Sequence, residues 1–301
     1  MGISPGAIKI GPWVRRKRVR RKGFALRCGG AIEVGTGAQD VYTLVCEGFS
    51  ALRGRSLDFQ FFVVLSLAVT FAGISKGGFG GGVAFVSSAI LAIILPPAMA
   101  VGIMLPLLMV MDVASVGPFW KRWDPRCAWA LILGGVPGVA AGAVFFSITN
   151  DDVLRFFIGA ISLAFVLWSL LPKDAAKARQ FPAWVGYLAG FTSGFTSFVS
   201  HAGGPPAAMY MLGQRLDKTT YHATAILVFW VINALKAVPY GMLGFFTWET
   251  LTLDLYMIPF ALVGVYLGVK AHHLVSDRVF FGLTYLLLAG AGSKLIWDAL
   301  T

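Results

Sequence analysis

The sequence predicts an all-α integral membrane protein with two inverted-topology repeats, each a glycine-broken hairpin followed by three transmembrane helices. Three observations carry this. The 301 residues are 57% hydrophobic and only 13% charged, about half the roughly 25% charge of a soluble domain. Apolar runs near the ~20 residues that span a bilayer recur along most of the chain. The features of the first half also return in the same order in the second.

In chain order, the first element is basic. Residues 1–55 hold 11 Lys/Arg against Glu33, Asp40 and Glu47, including the cluster Arg15-Arg16-Lys17-Arg18-Val19-Arg20-Arg21-Lys22. No aromatic interleaving or nucleic-acid motif accompanies the cluster, so it does not predict a nucleic-acid partner. No long apolar run follows it, so no signal peptide or twin-arginine leader is visible. Residues 1–56 read as a disordered extension, or as translation from a start codon upstream of the true one.

Apolar segments then run Phe59–Ser75, Val83–Leu95, Met99–Trp120, Ala128–Ile148 and Val153–Leu171, the first repeat spanning 57–172. A polar linker over 173–182, with Lys173, Lys177 and Arg179, divides the chain. The second repeat, 183–301, gives Ala183–Ser200, Pro206–Leu212, Thr219–Phe246, Leu253–His272 and Val279–Leu300. Helices are expected because the runs are long and lack strand alternation. Ser75-Lys76-Gly77-Gly78 returns as Ser200-His201-Ala202-Gly203-Gly204, Trp123-Asp124 as Trp248-Glu249, and Gly138–Gly142 as Gly264–Gly268.

Charge sets the expected orientation of the repeats. The Trp123 loop is basic, with Lys121, Arg122 and Arg126, whereas the equivalent Trp248 loop carries Glu249. The positive-inside rule puts the first in the cytoplasm and the second outside, so the repeats are inverted and the central linker is cytoplasmic. An odd number of crossings per repeat follows, met by three full spans and a hairpin that returns to its own side. Val83–Leu95 and Pro206–Leu212 suit such short arms. The scheme puts Asp58 outside, in conflict with the basic cluster before it unless that segment is not made.

The breaks hold the candidate site. Gly77, Gly78, Gly80, Gly81 and Gly82 interrupt apolar sequence beside Ser75 and Lys76; Ser200, His201, Gly203 and Gly204 do so in the second half. Broken backbone inside a membrane must face protein, water or a ligand. A helix restarting after the break turns its positive dipole end toward it, which suits an anion. Lys76, Asp112, His201 and Lys236 lie deep in apolar runs, where charge needs a partner or a cavity. Two readings stand for Asp112 and Lys236: a structural ion pair joining the halves, or Lys236 neutralising an anion while Asn233 hydrogen-bonds its oxygens. His201 is either a core histidine or a titrating ligand contact, and Asp112 or His201 is where ion coupling would sit. Thr196 and Ser197 are further hydroxyl donors, and Tyr240 is read as lining the cavity. Gly134, Gly135, Gly138, Gly142, Gly264 and Gly268 read as close helix packing.

The segments Gly73–Gly82, Gly190–Pro206 and Asn233–Tyr240 resemble the TauE/SafE family of sulfite and organosulfonate exporters over about residues 57–301. The resemblance implies a multi-pass transporter of the cell inner membrane with duplicated, glycine-broken halves. The second break reads Ser200-His201-Ala202-Gly203-Gly204-Pro205-Pro206 in place of a glycine run. The expected function is transport of a small anion, export of sulfite or an organosulfonate by alternating access, with the anion and the lipid bilayer as partners. The sequence calls for no cofactor and no metal, and fixes no oligomeric state. The alternatives are transport of a carboxylate or metal ion, and a membrane-embedded enzyme, which needs a nucleophile with a base or a metal cluster. No His-Glu-x-x-His is present, and His222, His272 and His273 sit near expected helix ends.

Overall fold

The computed structural model describes residues 59–78, 84–170, 181–274 and 277–301. The basic extension, most of the linker, and Gly80, Gly81 and Gly82 lie outside the described residues.

Among the described residues all regular structure is helical. The order is α1 (Phe59–Gly78), α2 (Phe85–Ile94), α3 (Pro97–Val116), α4 (Pro125–Ile148), α5 (Asp151–Leu170), α6 (Ala183–Ser200), α7 (Gly204–Gly213), α8 (Lys218–Met242), α9 (Trp248–Leu274) and α10 (Asp277–Leu300). A 3₁₀ turn, Gly117–Phe119, follows α3. The lengths 20, 10, 20, 24 and 20 residues are echoed by 18, 10, 25, 27 and 24. Among the described residues seven helices are long and apolar enough to cross a membrane: α1, α3, α4, α5, α8, α9 and α10. At the helical rise α2 and α7 reach only about 15 Å, half a hydrocarbon core.

Local chemistry explains the boundaries. Pro97 and Pro125 open α3 and α4 at positions whose amides would lack partners anyway. The Asp124 carboxylate accepts from the Cys127 amide at 2.7 Å. Asp217 caps α8 by accepting from the Thr219 and Thr220 amides at 2.9 and 3.1 Å. The Thr220 hydroxyl and these amides hold the Asp217 carboxyl below the usual carboxylate range. The first helix runs to Gly78, three residues beyond the expected Ser75. The expected Thr219–Phe246 helix ends at Met242, and the chain turns through Gly244 at a φ of 75°.

Glycines fix how the helices meet. Gly73 faces Ala261 and Gly264, Gly77 faces Val265, and Gly78 faces Gly268, so α1 and α9 run parallel in tight contact. Gly134 faces Tyr187, Gly138 faces Phe191 and Gly142 faces Phe198, so α4 and α6 are a second parallel pair. Each pair thus joins the first helix of one half to the fourth of the other. By contrast α5 and α10 are antiparallel: Gly159 meets Ile296, and Phe165 lies 5.9 Å from Tyr285 between ring centres. The short helices fold back. Ser193 donates to the Gly203 carbonyl at 2.6 Å while Gly186 faces Tyr210, making α6 and α7 an antiparallel hairpin. Ser87 of α2 likewise donates to Ala68 of α1 at 2.6 Å.

These contacts leave no room for a side chain. A Cβ on Gly138 or Gly264 would overlap the carbonyl oxygen of Phe191 or Thr70, and neither backbone can yield without moving a helix. Gly138→Ala and Gly264→Ala should each cost about 3 kcal/mol, the upper end for overpacking. Gly282→Ala and Gly290→Ala, with nothing within 4 Å of the new Cβ, should be neutral or stabilise slightly through helix propensity. Thermal melts of the detergent-solubilised variants check this; equal melting of all four would refute it.

Outside this core Leu167, Trp184, Trp248, Leu286 and Trp297 stand exposed, an apolar surface suited to lipid. The two ends of the bundle differ in charge. At one end Asp124 N–H donates to the Thr224 hydroxyl at 2.9 Å, which brings Lys121, Arg122 and Arg126 to the same end as Arg215 and Lys218. At the other, Phe146 packs on Phe245 at 5.1 Å, near Asp151, Asp152 and Glu249.

Candidate functional site

The ends of α1 and α6 meet inside the bundle. Lys76 lies in the last turn of α1, and His201 follows the last residue of α6. Helices α3 and α8 pass both tips and supply the remaining polar groups. A small cavity is lined by Lys76, Leu108, Ser197, His201, Gly204, Phe229 and Asn233, together with Ala84. It has room for about one water molecule.

The polar side chains fall into two groups. In the first, Lys76 pairs with Asp112 through Oδ1. The second oxygen, Oδ2, accepts from Asn233 Nδ2 at 2.7 Å. Lys76 is 5% exposed and Asp112 1%, so both charges are out of water and each needs the other. In the second group, Lys236 is fully buried and donates to the Ser197 carbonyl and hydroxyl, both at 3.0 Å. Its third contact is His201 Nδ1 at 2.8 Å. Among the described residues Lys236 has no carboxylate within salt-bridge distance.

The backbone aims His201 at this spot. It adopts left-handed φ and ψ of 58° and 11°, closing α6; its amide donates to the Ser197 carbonyl at 2.9 Å and the Ala202 amide to the Thr196 carbonyl at 3.3 Å. A left-handed non-glycine residue costs roughly 1–2 kcal/mol. The ring is held on both sides, by Lys236 and by the Val101 carbonyl 2.9 Å from Nε2. Tyr240 lies behind it. Its hydroxyl donates to the Phe198 carbonyl at 2.6 Å and its ring packs on Phe198 and Phe245. Tyr240 is thus a wall behind His201 and does not line the cavity.

Other expected contacts fall elsewhere. Gly77 and Gly78 belong to α1, and their missing side chains admit the backbones of Val265 and Gly268. Gly80 and Gly81 lie outside the described residues. Ser200 turns its hydroxyl back to the Thr196 carbonyl at 3.1 Å, and it is Ser197 that reaches the cavity. Gly203 accepts from Ser193 and precedes α7, whose first residue Gly204 lines the cavity. Ser75 is fully buried, and its hydroxyl has no hydrogen-bond partner among the described residues.

Two expectations need correction. The ion pair joins Asp112 to Lys76, not to Lys236. Asn233 stands level with Asp112 on α8, and Lys236, three residues on, is about 4.5 Å further along the axis, at His201. Nor is Asp112 the only deep carboxylate. Asp254 is 4% exposed, and neither of its oxygens has a partner among the described residues. It lies five residues after Glu249, within the first two turns of α9, and its burial depends on neighbouring helices.

Residues 65–295 match the family profile described as sulfite exporter TauE/SafE. No curated protein and no solved structure matches the chain.

Proposed function

From the premise that this chain belongs to the TauE/SafE sulfite exporter family, we propose that it exports sulfite or an organosulfonate across the cell inner membrane by alternating access. The observation that carries this reading is the buried Lys236, a cation without a carboxylate among the described residues, beside the cavity where the tips of α1 and α6 converge. The Lys76–Asp112 charges cancel, so the cavity keeps a net positive character that an anion neutralises. A cation would meet Lys236 with nothing to offset it.

The helix directions support two oppositely oriented halves. In that arrangement the first helix of one half runs parallel to the fourth of the other, as α1 with α9 and α6 with α4. The basic end at Lys121, Arg122, Arg126, Arg215 and Lys218 is then cytoplasmic, and the acidic end at Asp151, Asp152 and Glu249 external. Because the glycine contacts lock each pair, the rocking units are α1 with α9 and α4 with α6. One carries Lys76 and the other His201, so their separation opens a cavity too small here for a four-heavy-atom oxyanion.

Inverted membrane vesicles containing the protein should take up radiolabelled sulfite or 2-hydroxyethanesulfonate faster than vesicles lacking it. Uptake of neither above that control would remove the proposal.

A further inference from the structure

The hydrogen bonds around Lys236 can be followed proton by proton. The Val101 carbonyl only accepts, so His201 Nε2, 2.9 Å away, carries a hydrogen. Nδ1 of the neutral ring is then the acceptor, and Lys236 Nζ donates to it at 2.8 Å. An ammonium has three N–H donors, and Lys236 has three acceptors here: the Ser197 carbonyl, the Ser197 hydroxyl and His201 Nδ1. Lys76 and Asn233 are likewise committed, to Asp112. In this state Lys236 has no donor left for an anion in the cavity.

One proton changes that. If Nδ1 is protonated, its lone pair is gone and it opposes the Lys236 ammonium. The pair must part, which frees one N–H on Lys236 and creates another on Nδ1. Two adjacent cations inside a membrane are tolerable only with negative charge between them, and the cavity that His201 and Ser197 line is where an anion would supply it. The other titratable groups facing the couple among the described residues are Lys76 on α1, Asp112 on α3 and Tyr240 on α8. Lys76 and Asp112 neutralise each other, and the Tyr240 hydroxyl is bonded to the Phe198 carbonyl.

We infer that the Lys236–His201 couple is a proton-binding site filled together with the anion, so that the protein moves about one proton with each anion it carries. This rests on the anion-transport reading. Anion affinity rises as pH falls, by up to about tenfold per pH unit while His201 titrates on binding. His201→Gln tests the site. Glutamine can donate to Val101 and accept from Lys236, as the neutral ring does, but takes up no proton.

The experiment uses the full chain in proteoliposomes loaded with a fluorescent pH indicator and given external radiolabelled 2-hydroxyethanesulfonate, whose charge is constant across the pH range. Entry of the sulfonate with acidification of the lumen by about one proton per anion is the expected result. In H201Q the remaining exchange should proceed without acidification and without pH dependence. Sulfonate entry into wild-type vesicles with no proton movement overturns the coupling and leaves transport standing. Entry of neither the sulfonate nor sulfite overturns transport and coupling together. Should sulfite alone enter, an H201Q pH profile identical to that of wild type refutes the coupling, and a flattened one supports it. If H201Q does not fold, the wild-type proton-to-anion ratio decides for the sulfonate. For sulfite, wild-type exchange that does not slow as pH rises overturns the proposal.

Discussion

Lys236→Met should weaken anion binding by about 100-fold, the loss expected when a charge-assisted hydrogen bond of up to roughly 3 kcal/mol disappears. Methionine keeps most of the aliphatic stem, so packing against Tyr240 and Ser197 is largely preserved while charge and all three donors vanish. Direct binding of radiolabelled sulfite or 2-hydroxyethanesulfonate to the purified protein measures the effect, with a gel-filtration profile reporting the fold. Lys236→Arg should recover binding only in part: a planar guanidinium does not reproduce the three directions in which the ammonium donates. Binding by K236M within about threefold of wild type would show that the anion draws its charge from elsewhere.

The second large effect concerns stability. Asp112→Leu leaves Lys76 buried, charged and unpaired, and should destabilise the protein by about 3–5 kcal/mol; Lys76→Met strands the Asp112 carboxylate with only Asn233 beside it and should cost a similar amount. Lys76→Met with Asp112→Leu should recover most of that stability, because two apolar residues of similar volume replace a desolvated pair. The double variant should nonetheless transport poorly, since the cavity loses Lys76 and Asn233 loses its anchor. Melting temperatures of the three variants, with transport rates beside them, check both halves. Additive single-variant losses in the double variant would show that the two charges do not act as a pair.

Much of the fold was legible before any coordinates. The long apolar runs, the short arms and the order of elements follow from hydropathy and length, which act along the chain and can be counted in it. The pairing of helices was only half legible. Gly138–Gly142 and Gly264–Gly268 announce close packing, but nothing in their spacing says that α4 lies on α6 and α1 on α9. For the same reason Gly77 and Gly78 read as a substrate loop, whereas they sit against the α9 backbone. A glycine that opens a turn and one that admits a neighbouring helix look identical in one dimension.

The candidate site shows the same division. That Lys76, Asp112, His201 and Lys236 required partners was forced by the cost of burying charge in apolar sequence, so the cast was readable from composition and position alone. Who partners whom was decided in three dimensions. A rise of about 4.5 Å along α8 separates Asn233, which reaches Asp112, from Lys236, which reaches His201. The left-handed turn at His201, the Val101 carbonyl that sets its tautomer and the burial of Asp254 likewise depend on helices more than 50 residues away or on backbone geometry. The sequence by itself determined a membrane-embedded helical protein with a few ionisable groups deep in its apolar runs, because solvation energies are summed residue by residue. Only the tertiary structure decided which cation has no carboxylate beside it among the described residues, because hydrogen bonds are made at distances of about 3 Å that no spacing along the chain specifies.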